Sequence, residues 1–374
     1  MSNSQFQHVP FSNLQAAHAE ILPEALSLIE NLVKRSEFIG GGAVSAFEKS
    51  FCDFCESRFA VGTSSGSSAL KLALWAIGVG PGDEVITPAN SFFATTAAII
   101  AVGATPVLVD VDLDSALLSP TEAAKHITKK TKALLPVHLY GNPVDLEAFQ
   151  SLAKQSGLSL LQDAAQAHGA RWRDRPLSDF GNAEAYSFYP GKNLGAWGDA
   201  GAVVTRELTI YESVMSLRDY GRKSGEKYSH EDSRGGNERL DAIQAAILKL
   251  KLNRLSENNA KRRELFQQYF EGLSLIPEIK VIRGLPFAES VHHLLVIRCP
   301  EREKLKHHLL SLGIETGVHY PISLNQQPGL CHLSRKSLPN ADRLAREVLS
   351  LPLFPEMTDS QVEYVVNGVK EFFR

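Results

Sequence analysis

The chain has 374 residues, of which 44% are hydrophobic and 22% are charged, and this composition is typical of soluble globular proteins. The formal net charge of −3 gives no indication of a nucleic-acid partner or an anionic membrane surface. No apolar run reaches the roughly 18 residues of a membrane-spanning helix. Because the polar segment 1–10 has no signal-peptide pattern, we expect a cytoplasmic protein without membrane contacts.

The first motif along the chain is a C-x-x-C pair, Cys52 and Cys55, which is compatible with a redox pair or with half of a zinc site. Apolar residues over 47–55 repeat at helical spacing, so we expect both thiols on the buried face of a helix. No second C-x-x-C is present to complete a zinc site. We therefore predict structural thiols, no metal centre and a reducing compartment.

Short apolar runs then alternate with helical patterns. The strand candidates are residues 59–64, 84–88, 105–109, 133–137, 159–163, 183–187 and 202–205. Helical patterns separate most of them, at residues 67–77, 92–102, 120–126 and 146–156. This alternation predicts an α/β domain with a large, mainly parallel seven-stranded sheet whose helices cover both faces. Since the last two candidates follow one another closely, one of them is expected to run antiparallel.

The remainder of the chain has a different pattern. A long helical stretch over 241–272 leads into it, and a closing helix over 358–373 is predicted with Thr358 as its N-cap. Between them the order is strand, helix, strand, at residues 291–299, 302–312 and 315–319. Because the chain is also too long for one simple core, we predict a large α/β domain over 1–253 and a smaller α+β domain over 254–374.

Polar residues end several of the predicted strands, and ligands of open parallel sheets bind beyond those carboxyl ends. Ser64, Asp163 and Ser187 occupy such positions. The segment 64–68, Ser-Ser-Gly-Ser-Ser, opens a helix whose first amides suit a phosphate, although the same serines also suit a plain N-cap. The glycine run over 78–83 precedes a strand rather than following one, so we interpret it as a turn and not as a dinucleotide fingerprint.

Lys192 lies in a glycine-punctuated turn, Pro-Gly-Lys-Asn-Leu-Gly, directly after a strand. Most lysines are solvated surface charges. The glycines of this turn, however, allow the close backbone approach that a lysine held under a cofactor needs. The amine of such a lysine can form a Schiff base with an aldehyde. A carboxylate such as Asp163 can hold a pyridine nitrogen in its protonated form. The pair therefore predicts chemistry on pyridoxal phosphate. Phe92 suits either ring stacking or the core, and His168 is interpreted as a structural group.

Several segments together resemble the DegT-type nucleotide-sugar aminotransferases, which are fold-type-I pyridoxal-phosphate enzymes. These segments are GVGPGDEVI at 78–86, PVHLYG at 136–141, DAAQAHG at 163–169, SFYPGKNLG at 187–195 and GVHYP at 317–321. The resemblance covers about residues 9–369. It implies a PLP-transferase fold of type I, pyridoxal 5'-phosphate as cofactor, and a homodimer with shared active sites.

The resemblance also implies roles for individual residues. Lys192 forms the Schiff base with the cofactor and shuttles the proton, while Asp163 pairs with the pyridinium nitrogen. Gln166 reaches the phenolic oxygen of the ring, and Phe92 stacks on it. The implied phosphate contacts are Gly66, Ser67 and Ser187, together with Asn237 from a neighbouring subunit. The implied substrate contacts are Arg239, His319 and Tyr320.

Two segments depart from the usual pattern of this family. The phosphate cradle, commonly Ser-Asn-Gly-Thr, is Ser-Ser-Gly-Ser at 64–67, where Ser67 keeps a hydroxyl group. The turn that is often Gly-Asp-Gly-Gly is Gly-Asp-Ala-Gly at 198–201. Because alanine does not easily adopt a positive φ, we expect ordinary backbone at Ala200.

The implied reaction transfers an amino group from L-glutamate to a keto sugar linked to a nucleoside diphosphate. The leading substrate is a dTDP-linked 3-keto-6-deoxyhexose, and the product is an amino-dideoxysugar for a surface glycan, such as a lipopolysaccharide O-antigen, or for a glycosylated metabolite. The alternatives are a UDP- or GDP-linked sugar aminated at position 3 or 4, and a cofactor-binding regulatory relative without turnover. Relatives that dehydrate the sugar have histidine at the lysine position, so Lys192 argues against that activity.

Overall fold

The computed structural model describes residues 8–223, 226, 228–331, 333 and 337–374. The segment 1–10, where we expect no signal peptide, is therefore described only from His8 onward. Within the described ranges, no helix is long and apolar enough to cross a membrane.

Thirteen helices and thirteen strands make up the described part of the chain, apart from short 3-10 turns. The helices are α1 (Leu14–Ala19), α2 (Leu22–Arg35), α3 (Gly41–Phe54), α4 (Gly66–Ala76), α5 (Phe93–Ala101), α6 (Pro120–Ala124), α7 (Leu146–Ser156), α8 (Leu208–Leu217), α9 (Ala242–Leu252), α10 (Leu255–Leu273), α11 (Arg302–Ser311), α12 (Pro339–Glu347) and α13 (Asp359–Phe372). The strands are β1 (Phe59–Thr63), β2 (Glu84–Pro88), β3 (Thr105–Val109), β4 (Thr131–Leu134), β5 (Ser159–Asp163), β6 (Arg171–Trp172), β7 (Arg175–Pro176), β8 (Ala183–Ser187), β9 (Gly201–Thr205), β10 (Lys280–Val281), β11 (Ala288–Glu289), β12 (Leu295–Arg298) and β13 (Val348–Leu351).

The large sheet has seven strands in the order β1-β9-β8-β5-β4-β2-β3. The strands from β3 across to β8 pair in parallel, whereas β9 is antiparallel to both β8 and β1. This confirms the predicted mainly parallel sheet, in which one of the last two strands, β9, runs antiparallel to the other six. The candidate 133–137 is displaced, since β4 ends at Leu134. Pro136 has no N–H to donate, which limits the ladder there.

The cysteines of the C-x-x-C pair lie at the end of α3. Cys55 is buried and caps the helix, while Cys52 is only partly buried, so the expectation of two buried thiols holds for Cys55 alone. Burial raises the pKa of both thiols. Among the described residues, no group of three or more His, Cys, Asp or Glu side chains is placed to hold a metal ion.

The helical stretch predicted over 241–272 is confirmed as two consecutive helices, α9 and α10, which are separated by Asn253 and Arg254. They pack against different partners, α9 against α3 and α10 against α13. One prediction for the second half of the chain is wrong. The segment 315–319 is not a strand, since only Gly317 makes a bridge, to Ser350 in β13.

A small antiparallel sheet, β10-β12-β13, forms the centre of the C-terminal region. Its buried face packs with α10 and α13 into a second core that includes Leu265, Leu295, Leu349 and Val365. The closing helix begins as predicted, because Thr358 and Gln361 form a reciprocal capping box. The domain boundary predicted between residues 253 and 254 falls in the break between α9 and α10, and it stays a prediction.

Candidate active site

A cavity of about 690 Å³ lies beyond the carboxyl ends of β5 and β8. It is lined by most of the residues that the sequence singles out, namely Gly66, Ser67, Phe92, Asp163, Gln166, Ser187, Lys192, His319 and Tyr320. One side of the cavity, which we call the sheet-edge wall, carries Asp163, Ser187 and Lys192. A second part of the lining, the C-terminal wall, carries His293, His319 and Tyr320.

Asp163 is the last residue of β5 and is buried. The hydroxyl of Thr95 donates to its Oδ2 atom at 2.8 Å, and the backbone N–H of Ala165 donates to its Oδ1 atom at 3.2 Å. Burial raises the pKa of Asp163, while these two hydrogen bonds and the charge of Lys192 oppose that rise. The carboxylate is thus held in one orientation in an environment of low dielectric constant, where its electrostatic attraction for a cationic partner is strongest.

Lys192 projects from the turn that follows β8. The backbone N–H of Lys192 donates to the carbonyl of Tyr189 at 2.8 Å, which tightens this turn. A Cβ atom at Gly195 would lie 2.2 Å from the carbonyl oxygen of Pro190, so only glycine fits there. Burial lowers the pKa of Lys192 to about 8, and the negative charge of Asp163 limits the fall. Its amine is therefore much easier to deprotonate than that of a surface lysine.

The turn from β1 into α4 packs tightly against the ends of β8 and β9. Ser65 is the N-cap of α4, and its Oγ atom accepts from the N–H of Ser68 at 3.1 Å. A Cβ atom at Gly66 would lie 2.5 Å from the Cβ atom of Ser187, and one at Gly201 would lie 2.3 Å from the carbonyl oxygen of Ser65. Ser65 thus forms the N-cap of α4. The backbone amides at the start of α4 also face the cavity, as an anion site requires.

The other departure from the family pattern is also settled by the backbone. Ala200 does not have a positive φ, as expected.

His168 behaves as the structural group that the sequence indicates. Its Nε2 atom lies 2.9 Å from the carbonyl oxygen of Ser187, and burial lowers its pKa to about 3, so that the ring stays neutral.

Gln166 connects the sheet-edge wall to the C-terminal wall. Its Oε1 atom accepts from the N–H of Tyr140 at 2.6 Å, and its Nε2 atom donates to the hydroxyl of Tyr320 at 3.2 Å. The hydroxyl of Tyr140 in turn donates to the carbonyl of His319 at 2.5 Å. These bonds connect the segment of His319 and Tyr320 to the residues that follow β5.

The rings that face the cavity differ in exposure and charge. Phe92 is 57% exposed and lies 5.7 Å from the ring of Tyr320, so it is not a core residue and is free to stack on a ligand. The Nδ1 atom of His319 is 2.8 Å from the hydroxyl of Ser350. Burial lowers the pKa of His319 to about 4, so this imidazole is neutral at physiological pH.

Asn237 and Arg239 are not brought to this cavity. They line a second one, of about 580 Å³, which shares Ser65 and Asp199 with the first. Ser64 also faces only the second cavity. Within one chain, the phosphate contact implied for Asn237 and the substrate contact implied for Arg239 are therefore separate from the rest of the site.

Sequence reasoning missed several residues of the site. Thr95 holds Asp163, and its position one turn after Phe92 is a signal that could have identified it. Asn193, His293 and Ser350 have no such local signal, because each acts through a partner that is remote in the chain.

The model of the DegT/DnrJ/EryC1/StrS aminotransferase family matches residues 20–370. The chain is 42% identical over 373 residues to a dTDP-3-amino-3,4,6-trideoxy-alpha-D-glucose transaminase of Streptomyces venezuelae, covering 99% of this chain and 98% of that protein.

Solved structures show the same relationship. DesV of S. venezuelae, in complex with a ketimine intermediate, has a TM-score of 0.95 and 42% sequence identity, and 98% of each chain is covered. NtdA from Bacillus subtilis, with its bound cofactor PMP, has a TM-score of 0.93 and 29% identity over 99% of this chain and 86% of that chain.

Proposed function

Because the chain belongs to the DegT/DnrJ/EryC1/StrS aminotransferase family, we propose that it transfers the amino group of L-glutamate to a nucleotide-linked keto-deoxysugar. The leading substrate is a dTDP-linked 3-keto-6-deoxyhexose. Its support is the 42% identity, over nearly the whole chain, to a transaminase named for a dTDP-linked 3-amino sugar. The observation that carries the proposal is that Lys192 and Asp163 line the same cavity.

The enzyme is a pyridoxal-phosphate-dependent aminotransferase. The residues present fit this cofactor, since the cavity offers an oriented buried carboxylate, an amine of lowered pKa and a glycine-lined helix start. When bound, the cofactor supplies an electron sink for the charge left on the substrate carbon as its proton departs.

The roles of the side chains follow from their chemistry. With the cofactor bound, the neutral Nζ atom of Lys192 would take the proton from the α-carbon of the amino donor and deliver it to the C4′ carbon of the cofactor, on the far side of the shared nitrogen. Asp163 keeps a proton on the ring nitrogen, and its bond from Thr95 maintains the orientation this needs. Gln166 is assigned to the phenolic oxygen and Phe92 to the ring face. The amides and hydroxyls of Gly66, Ser67 and Ser187 are assigned to the phosphate.

The enzyme is proposed to work as a homodimer. Asn237 and Arg239 belong to a second cavity, so they reach a cofactor phosphate and a substrate only if two copies share their sites. Mixed dimers test this. Lys192→Ala and Asn237→Ala chains, each inactive alone, should regain up to about one quarter of wild-type activity when mixed, since each hybrid then has one intact site. No recovery from hybrids that demonstrably form would contradict shared sites.

The proposed role is the synthesis of amino sugars for a surface glycan, including O-antigen, or for a glycosylated metabolite, in the cytoplasm. UDP- and GDP-linked keto sugars aminated at position 3 or 4 are the alternative substrates. The test is a screen of nucleotide keto sugars with L-glutamate, with product mass as the readout. We expect a mass consistent with replacement of a ketone by an amine for a dTDP-linked 3-keto sugar.

A regulatory relative without turnover is the alternative of a different class. The cofactor-loaded protein should absorb near the edge of the visible range and lose that band when L-glutamate is added. A loaded protein that no amino donor bleaches would contradict the proposed activity and support the regulatory role.

A further inference from the structure

Asn193, the residue after Lys192, joins three parts of the chain through its side-chain amide. Its Nδ2 atom donates to Asn259 Oδ1 and to the carbonyl of Val291, both at 2.9 Å, and its Oδ1 atom lies 3.1 Å from Nδ1 of His293. Asn259 donates through its own Nδ2 atom to the carbonyl of His168 at 2.8 Å. The turn that carries Lys192 is thereby fastened to α10 and to the segment before β12.

This network fixes which nitrogen of His293 carries the proton. The carbonyls of Val291 and His168 only accept hydrogen bonds, so the atoms that face them are the amide nitrogens of Asn193 and Asn259. The remaining atom, Asn193 Oδ1, is an acceptor, and Nδ1 of His293 must donate to it. Burial, and then the charge of Lys192, hold the pKa of His293 well below its usual value, so the ring has this one proton.

The other nitrogen of His293, Nε2, is therefore a bare acceptor. His293 lines the cavity together with Lys192 and Tyr320. In the described part of the chain, Nε2 has no hydrogen-bond partner, and it is not among the polar atoms sealed from solvent. An acceptor facing a cavity without a protein partner is a place for a donor group of the ligand.

The chemistry of the two substrates decides which ligand supplies that donor, a step that rests on the proposed function. L-Glutamate has donor hydrogens only on its amino group, which must reach the cofactor, and its carboxylates accept hydrogen bonds only. A keto sugar carries ring hydroxyls, which donate. We infer that Nε2 of His293 accepts a hydrogen bond from a ring hydroxyl of the sugar, which makes His293 a sugar-recognition residue.

Two substitutions separate the nitrogens of this ring. In His293→Asn the amide nitrogen stands the same number of bonds from Cβ as Nδ1, so the bond to Asn193 is kept and the Nε2 acceptor is lost. In His293→Gln the amide oxygen stands at the place of Nε2, so the acceptor is kept and the bond to Asn193 is lost. The two half-reactions are measured separately on the loaded enzyme, from the absorbance change with L-glutamate and with the keto sugar.

For His293→Asn we expect kcat/KM for the sugar half-reaction to fall by about 10- to 100-fold, as when a buried acceptor for a substrate hydroxyl is removed, with the L-glutamate half-reaction within about 2-fold of wild type. His293→Gln should retain more of the sugar half-reaction than His293→Asn. A keto sugar that lacks the recognised hydroxyl should react more slowly with wild type, with no further loss in His293→Asn.

Equal losses in both half-reactions of His293→Asn, or an unchanged sugar half-reaction, would overturn the inference. The unchanged L-glutamate half-reaction doubles as the check that the variant is folded and loaded. Failure of the proposed function itself is distinguishable, because wild type would then react with neither substrate.

Discussion

The two walls of the cavity differ in how readily their side chains gain or lose a proton near neutral pH. The sheet-edge wall holds a carboxylate whose pKa burial raises, Asp163, and an amine whose pKa burial lowers to about 8, Lys192. The C-terminal wall holds His319, whose pKa burial lowers to about 4, and Tyr320, whose pKa burial raises. Both of these stay neutral at physiological pH. We therefore propose that proton transfer takes place at the sheet-edge wall and that the C-terminal wall recognises neutral polar groups.

The largest expected effect is on the amine of the sheet-edge wall. Lys192→Ala removes the group that is proposed to move the proton, so turnover should fall by at least about 10³-fold. Steady-state assays with L-glutamate and a keto sugar measure this, and circular dichroism shows whether the variant is folded. A folded variant that keeps more than a tenth of the activity would contradict the role of Lys192.

Asp163→Asn should have the next largest effect. The amide is isosteric but has no negative charge to balance the positive charge of a protonated ring nitrogen. We therefore expect a loss of about 3 kcal/mol of transition-state stabilisation, on the order of 10²-fold in kcat. Thr95→Val is the matched control, because it keeps the carboxylate and removes one of its donors. It should cost about 1 kcal/mol, or roughly 5-fold. Equal effects of the two substitutions would contradict an electrostatic role for Asp163.

The pH dependence of cofactor loading tests the same wall without a substitution. A lysine with a pKa of about 8 is mostly protonated at pH 7 and mostly neutral at pH 9. The rate at which the apoenzyme binds pyridoxal phosphate should therefore rise by about 10-fold over that interval, since only the neutral amine reacts. Stopped-flow absorbance measures it. A midpoint near pH 10.4, the value for an exposed lysine, would show that burial does not act on Lys192.

The smallest effect is expected on the C-terminal wall. Ser350→Ala removes the hydroxyl next to Nδ1 of His319, which costs about 1 kcal/mol, or roughly 5-fold, in KM for the sugar. The half-reaction with L-glutamate should be unchanged, as should the pH profile of cofactor loading. An equal loss in the half-reaction with L-glutamate would mean that the C-terminal wall does not act on the sugar alone.

The same division explains how much the sequence predicts. The strand ends predict Asp163 and Ser187, because parallel strands bring their carboxyl ends to one edge whatever the rest of the chain does. The helix start at 64–68 predicts Gly66. The cofactor and the family followed from these residues, Lys192 and their neighbours. For Phe92 the sequence leaves a core position and a ligand contact open, and only its exposure in the structure excludes the core.

The C-terminal wall is assembled from remote segments, and local patterns do not encode it. Asn193 meets Asn259 and His293 across 66 and 100 residues of chain. The segment 315–319 has the composition of a strand but makes only one bridge, since the turn at His319 and Tyr320 faces the cavity instead. The place of Asn237 in the second cavity likewise depends on packing rather than on its neighbours in sequence.

We propose that the amine of Lys192 and the carboxylate of Asp163 hold the same cofactor. The most direct measurement is borohydride reduction of the loaded enzyme, followed by digestion and peptide mass mapping. We expect a phosphopyridoxyl group on the peptide that contains Lys192 and on no other, with much weaker labelling in Asp163→Ala. Labelling of another lysine, or labelling of Lys192 that is unaffected by the loss of Asp163, would contradict it.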